Sequence, residues 1–362
     1  MSASSLTTTV RNILVSGLGG GLDIHNAMLM YLLLNEGKKH LEETNNNEFS
    51  YRIENIYLGS IRPCKSTDIE NPVQILSSSV TLINSESKIK IKGRYFEPTL
   101  SKELNENIFL MTGSTDKSHQ IDLNGIENLK EGLKDLVQRY HLTDLIFVDG
   151  GGDSLILKSK DSIDKIHGNV FMGGDAVVLA ALNKLSHEMP HLNLIQGIIS
   201  VGLDVNRKAF KQNIKSIANR GGYFGRINFA TGKDKDTRNH NNEFMNAVTR
   251  YLFGNDTIRT MALEKFFTLS EQYLVLQEDQ CSQSSIVVGT SPTRFMSHTA
   301  VVTYHALKGN FGLRRTFVPW EPKLQQGKGV VVEADHQWMY FVNPAVAEQV
   351  KISENGTSKL EE

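Results

Sequence analysis

The chain has 362 residues, of which 40% are hydrophobic and 22% charged; this ordinary globular balance excludes a mostly disordered protein, and the length fits one large three-layer unit. A formal net charge of -1 supplies no global field for nucleic acid or an anionic membrane, so neither is expected as a partner. Cys64 and Cys281 stand far apart, outside any CxxC or Cys/His spacing, and signal neither a disulfide framework nor a zinc site; reduced, cytoplasmic chemistry fits best.

Residues 1–11 are polar and rich in Ser and Thr, the composition of a flexible N-terminus. They run into a segment too short for a membrane span or a signal-peptide core, so no export is read. Residues 12–16 (NILVS) form a short apolar run, closed by Gly17-Leu18-Gly19-Gly20-Gly21 and followed over 23–34 by apolar residues at helical spacing. This is strand, glycine loop, helix. Buried-strand runs recur at 53–58, 108–111, 145–148 and 194–201, with amphipathic stretches at 126–140 and 176–185 between some of them. Strands alternating with helices predict an α/β fold: a mostly parallel, Rossmann-like sheet with helices on both faces.

Residues 75–97 alternate apolar and polar and predict an antiparallel edge addition to that sheet. Residues 232–243 (GKDKDTRNHNNE) are the most polar of the interior, which predicts a surface lid or insertion near 226–243. Helical spacing resumes at 244–253 and 261–276, and 329–334 and 338–342 read as closing strands. One domain is expected over 12–350, with 351–362 a disordered tail that has nothing to bury.

In open α/β sheets a ligand sits beyond the carboxyl ends of the strands. Gly19, Gly20 and Gly21 follow the first strand and open a helix, where bare backbone N–H groups can approach a phosphate or carboxylate. The spacing is not G-x-G-x-x-G, because Leu22 stands where the third glycine belongs, so a standard NAD site is disfavoured. The alternative for this loop is tight strand-to-helix packing alone. After the run LIFV come Asp149, Gly150, Gly151, Gly152, Asp153 and Ser154, two carboxylates and a hydroxyl around three glycines. Such a loop can hold a diol or a cation, or supply a general base. If a metal is used, Mg²⁺ or Ca²⁺ at Asp149 and Asp153 is the expected form. Helix capping is the competing reading for Asp153 and Ser154, and equally for Asp175 ahead of the next helix.

Asp204 again ends a strand, and Gly221–Gly225 offers another loop able to close over a ligand. Asp23, Asp149, Asp153, Asp175 and Asp204 thus recur at strand-to-helix junctions, which predicts one acidic cluster. His25 lies two residues beyond Asp23, where an imidazole could reach the ligand, although a lone histidine is more often unrelated to a site. His240, His298 and His336 lack metal-ligand spacing, and no G-x-S-x-G elbow or P-loop is present. Arg294 and Arg315 are candidates to hold an anionic group.

Taken in order, Gly-Leu-Gly-Gly-Gly-Leu-Asp at 17–23, Tyr-Leu-Gly at 57–59, Val-Asp-Gly-Gly-Gly-Asp-Ser-Leu at 148–155, Asp175, Gly-Leu-Asp at 202–204 and Gly-Gly-Tyr at 221–223 form a series. It resembles domain-of-unknown-function family 1152, archaeal and bacterial-type α/β proteins, over about residues 12–342. The resemblance implies the fold and these loops, and no activity. Leu-Asp-Ile-His in the first loop departs from the family's usual Asp-Val followed by small or aromatic residues, so His25 would be particular to this chain.

The expectation that follows is an enzyme, a hydrolase or group transferase, acting on a ribosyl, nucleotide or sugar-phosphate substrate. Gly19, Gly20 and Gly21 would cradle the anionic part. Asp149 would be the base or diol clamp, Asp153 its partner or a cation ligand, and Asp23 and Asp204 supporting carboxylates. A non-catalytic nucleotide or metabolite sensor is the alternative, and the reading leaves room for a homo-oligomer.

Overall fold

Side-chain alternation sets the architecture. In β1 (Thr9–Gly17), Ile13 and Val15 enter one buried cluster and Leu14 the opposite one. The same split recurs on two later strands: Ile108 and Leu110 against Phe109 and Met111, and Ile146 and Val148 against Leu145 and Phe147. A strand apolar on both sides must be covered on both faces, which requires helices above and below the sheet.

The computed structural model describes residues 9–19, 23–44, 49–62, 64–90, 95–112, 123–155, 173–201, 207–235, 242–283, 303, 307, 316–317, 331–332 and 337–347. After β1 come α1 (Asp23–Thr44), β2 (Tyr51–Arg62), β3 (Ile69–Glu70), β4 (Gln74–Ile75), β5 (Val80–Ile83) and β6 (Lys88–Ile89). The central part holds α2 (Glu97–Leu104), β7 (Ile108–Thr112), α3 (Leu123–Tyr140), β8 (Asp144–Gly150), α4 (Gly173–Glu188), β9 (Asn193–Ile199) and α5 (Arg207–Asn219). Then follow β10 (Tyr223–Asn228), β11 (Asp234–Lys235), α6 (Glu243–Ala247), a π-helical segment (Val248–Phe253), α7 (Asp256–Gln283), β12 (Thr316–Phe317), β13 (Val331–Val332) and β14 (Trp338–Val342).

One ten-stranded sheet has the order β11-β10-β14-β9-β8-β1-β2-β7-β5-β4. Its centre, β7-β2-β1-β8-β9, is parallel throughout. Both edges are antiparallel: β5 and β4 beyond β7, and β14 on β9, with β10 and β11 outside it. The fold is a three-layer α/β fold with antiparallel edges. Helices α1 and α7 share the cluster on one face, α3 and α4 that on the other, and Phe210 and Ile217 of α5 pack with Ile198 and Tyr340 beside it. Because α1 and α3/α4 take opposite faces, β1 and β8 are neighbours whose connections diverge, the switch point at whose carboxyl ends open α/β sheets hold their ligand crevice.

Several expectations need correction. The antiparallel edge is β4 and β5, while β6 pairs with β3 in a separate two-stranded sheet, and α2 occupies the end of the stretch read as alternating. Residues 223–228, read partly as a loop and partly as lid, form β10, and Asp234 and Lys235 pair back on it. Gly225 has φ 107°, and the β10–β14 register shifts between Tyr223 and Gly225; this irregularity hides the strand in the sequence. The two closing strands are both present, in different sheets: β14 inserts between β9 and β10, and β13 pairs with β12. Residues 236–241, both termini, Arg294, Arg315, His240, His298 and His336 lie outside the described residues. No helix among the described residues is long and apolar enough to cross a membrane.

Candidate functional site

The β1–α1 turn and the β8 loop are joined at the crevice. Leu18 N–H donates to the Val148 carbonyl at 2.9 Å. Asp23, in the first turn of α1, bridges the two loops: its carboxylate accepts from Gly19 N–H at 2.9 Å and from Gly150 N–H at 3.3 Å. A carboxylate at a helix N-terminus is favoured by the exposed N–H groups and the helix dipole. Part of the expected anion cradle is therefore filled from within the chain.

Gly19 also marks where a second carboxylate arrives. A Cβ added there would lie 1.9 Å from Asp175 Oδ1 and 2.9 Å from Asp23 Oδ2, so only hydrogen fits at this position. Asp175 belongs to the first turn of α4, which follows β8, and is 7% exposed; Asp23 is 8% exposed. Two helix N-termini from the two sides of the switch point thus bring carboxylates to one glycine.

Asp149 is the last residue but one of β8, 1% exposed. Its carboxylate accepts from the Ser154 hydroxyl and from the backbone of Gly150, Gly152 and Ser154. Burial pushes its pKa up to about 6 against the pull of those donors. Gln196 Nε2 donates to Ser154 Oγ at 2.7 Å, which extends the chain of bonds to β9. Gly151 and Gly152 have φ 114° and 106°, values that side chains with a Cβ rarely adopt, and this lets the loop curl back around Asp149. The carboxylate faces its own loop, so capping by Ser154 alone does not describe it: Ser154 holds Asp149.

Ser200, just past β9, has φ 58° and hydrogen-bonds Thr303 Oγ1 at 2.5 Å, both residues fully buried. A non-glycine residue in the left-handed region at the carboxyl edge is a local strain of the kind found at sites, and nothing in the local residue pattern signals it. Beyond β1 on the other side, Ser60 Oγ donates to Glu97 Oε1 at 2.7 Å, and Arg62 Nε donates to the same oxygen. That buried pair anchors the end of β2 to α2.

His25 does not join the carboxylates. Its Nε2 contacts Ser270 Oγ at 2.7 Å and its ring packs on Phe266 at 4.7 Å, both on α7. Ser270 spends its hydroxyl proton on the Phe266 carbonyl, so it accepts from His25, which is the Nε2–H tautomer. Burial lowers its pKa to about 4. The imidazole is a neutral packing element of the α1–α7 interface.

Of the remaining expected site residues, Gly20, Gly21 and Asp204 lie outside the described residues, as does the Asp153 side chain; the backbone of 153–155 forms a short 3-10 turn. Among the described residues no group of three His, Cys, Asp or Glu is arranged to hold a metal ion.

The family model for the protein of unknown function DUF1152 matches residues 14–249. The chain belongs to the DUF1152 family. The match is narrower than the span of about 12–342 expected from the motifs, and ends before α7 and β14. No curated protein and no solved structure matches the chain. Every loop described above from Gly17 to Ser200 falls within the DUF1152 region, whereas Ser270, the partner of His25, falls outside it.

Proposed function

We propose that this DUF1152 protein binds a ribosyl, nucleotide or sugar-phosphate ligand at the carboxyl edge between β1 and β8, and acts on it as a hydrolase or group transferase. The observation that carries this reading is the convergence of Asp23 and Asp175 on the side-chain-free backbone of Gly19. Carboxylates accept hydrogen bonds from vicinal hydroxyls, and the absent side chain of Gly19 is what lets both carboxylates come to one point of the backbone. Because the N–H groups of Gly19 and Gly150 already serve Asp23, the hydroxyl-bearing part of the ligand, rather than its phosphate, suits this point. Asp149 is the base in the catalytic form of the proposal, its pKa raised to about 6, near where a general base works best. A second reading, a non-catalytic sensor, is favoured by the inward hydrogen bonds of the same carboxylate.

A thermal-shift screen against ADP-ribose, nucleotides, NAD and sugar phosphates, each with and without Mg²⁺ or Ca²⁺, tests the proposal, since a ligand that binds only the native state raises the melting temperature. A shift with a hydroxyl-bearing compound that Asp175→Asn abolishes supports it; no shift with any compound overturns it. Asp149→Asn then separates the readings. A catalytic base loses rate with binding kept, whereas a sensor shows no turnover in either form.

A further inference from the structure

The ion pair at the end of β2 is satisfied only in part. Arg62 and Glu97 are 5% and 0% exposed. Glu97 Oε1 accepts from Arg62 Nε and, at 2.7 Å, from Ser60 Oγ, so one carboxylate oxygen takes both bonds. Glu97 Oε2 and Arg62 Nη2 are closed off from water and have no hydrogen-bond partner among the described residues. A buried donor or acceptor left in this state costs its full desolvation. Arg259, buried to a similar degree, shows the ordinary arrangement: Nη1 donates to the Phe253 carbonyl at 2.7 Å and Nη2 to Asp256 at 2.5 Å.

Position and charge narrow what can supply the missing partners. Ser60 and Arg62 follow Leu58 by two and four residues and so stand on its side of β2, the face that Ile24 of α1 and Leu100 of α2 cover. Ser16 and Gly59 are register partners, which puts Ser60 beside Gly17. The pair therefore ends the strand next to the one that leads to Gly19, at the same edge as Asp23 and Asp175. Arg62 and Glu97 cancel in charge. Cys64 adds none, because burial first and Glu97 next push its thiol pKa up to about 12, and Asp68 acts on it as a further negative charge. An anion would meet Glu97 and Asp68, and a cation would meet Arg62. The fitting occupant is a neutral group with a donor and an acceptor side by side.

We propose that Arg62 and Glu97 read the edge of a nucleobase, whose N–H donates to Glu97 Oε2 while the adjacent carbonyl accepts from Arg62 Nη2. A carboxylate accepting from a base N–H and a guanidinium donating to a base carbonyl are the pairings these side chains make with base edges. The Tyr95 ring, half-buried, stands 5.6 Å from the guanidinium. Its rotation opens the pair, and its face is one on which a base can stack. The assignment rests on the ribosyl reading of the neighbouring site, whose sugar carries this base.

The test is isothermal titration of the full chain with inosine, with purine riboside, which has the same sugar and ring system without the N–H and carbonyl, and with ribose 5-phosphate. Wild type should bind inosine about tenfold or more tightly than purine riboside. In Glu97→Gln one oxygen still accepts from Ser60 and Arg62, and an NH₂ donor replaces Oε2. This variant should lose the preference for inosine while binding ribose 5-phosphate as wild type does, which also shows that it folds. Tyr95→Ala, at the half-buried ring, should weaken both nucleosides by a similar factor; unchanged binding there overturns the placement even where Glu97→Gln fails to fold. Equal binding of inosine and purine riboside by wild type, or binding of ribose 5-phosphate without either nucleoside, overturns the base assignment and leaves the sugar site standing if Asp175→Asn weakens what binds. An inosine preference that survives in folded Glu97→Gln overturns the role of the pair. Absence of binding by all three compounds overturns both readings.

Discussion

Asp144 at the amino end of β8 and Asp149 near its carboxyl end are 0% and 1% exposed, and burial pushes the pKa of both upward. Their surroundings differ. Asp144 faces Arg11 of β1 at 3.5 Å and accepts from Thr143 Oγ1 at 2.6 Å and Asn193 Nδ2 at 2.7 Å; a cation and two fixed dipoles answer the charge. Asp149 has no ion pair among the described residues and is held by N–H groups and a hydroxyl of its own glycine loop. The amino end of the strand is thus built for stability. At the carboxyl end, buried charge is kept without a counter-ion, beside Asp23 and Asp175, where a ligand's donors could complete it.

The largest effect expected from this contrast is on Asp144→Asn, which leaves Arg11 without its carboxylate. Breaking a buried pair by removing one partner costs about 3 kcal/mol or more; a loss of urea-unfolding free energy below about a third of that would show that the amino end is not an electrostatic anchor.

Asp149 gives the next effect, and it depends on pH. Its folded pKa of about 6 lies above the unfolded carboxylate value, so the native state holds the proton more tightly. The associated stability is present below pH about 4 and is lost as pH rises through about 6, by roughly 3 kcal/mol for a shift of about two units. Urea unfolding of wild type at pH 4.5 and pH 7 should show this fall, and Asp149→Asn should remove most of it. An unchanged pH dependence in the variant would place the titration elsewhere.

Gly152→Ala probes the loop that holds Asp149. With φ 106°, alanine there carries backbone strain of roughly 1–2 kcal/mol, which should appear as a lower melting temperature; no change would mean the loop relaxes freely. The smallest effect is on the α3–α4 surface. Lys134→Gln removes an exposed pair with Glu188 and should leave the urea midpoint unchanged within error, because exposed pairs contribute little.

Much of this was legible in the sequence. The alternation of Ile13, Leu14 and Val15, and its repeats at 108–111 and 145–148, foretold a two-sided parallel sheet, and the glycines and aspartates after β1 and β8 foretold the crevice. His25 was misplaced for a reason the sequence contained: two residues along a helix turn a side chain by about 200°, so His25 and Asp23 point in opposite directions. The partner of Asp175 was not readable, since only folding brings α4 against Gly19. Nor could the insertion of β14 between β9 and β10 be foreseen, because antiparallel pairing across more than a hundred residues leaves no local signal.

The most direct test of the account is isothermal titration of wild type, Asp175→Asn and Asp144→Asn with ADP-ribose, which carries both hydroxyls and phosphates, at a temperature where all three are folded. The account predicts binding by wild type and by Asp144→Asn with similar affinity, and binding at least tenfold weaker by Asp175→Asn. Equal affinity in Asp175→Asn and wild type, or weakening in Asp144→Asn alone, would contradict the assignment of the ligand to the carboxyl edge of the sheet.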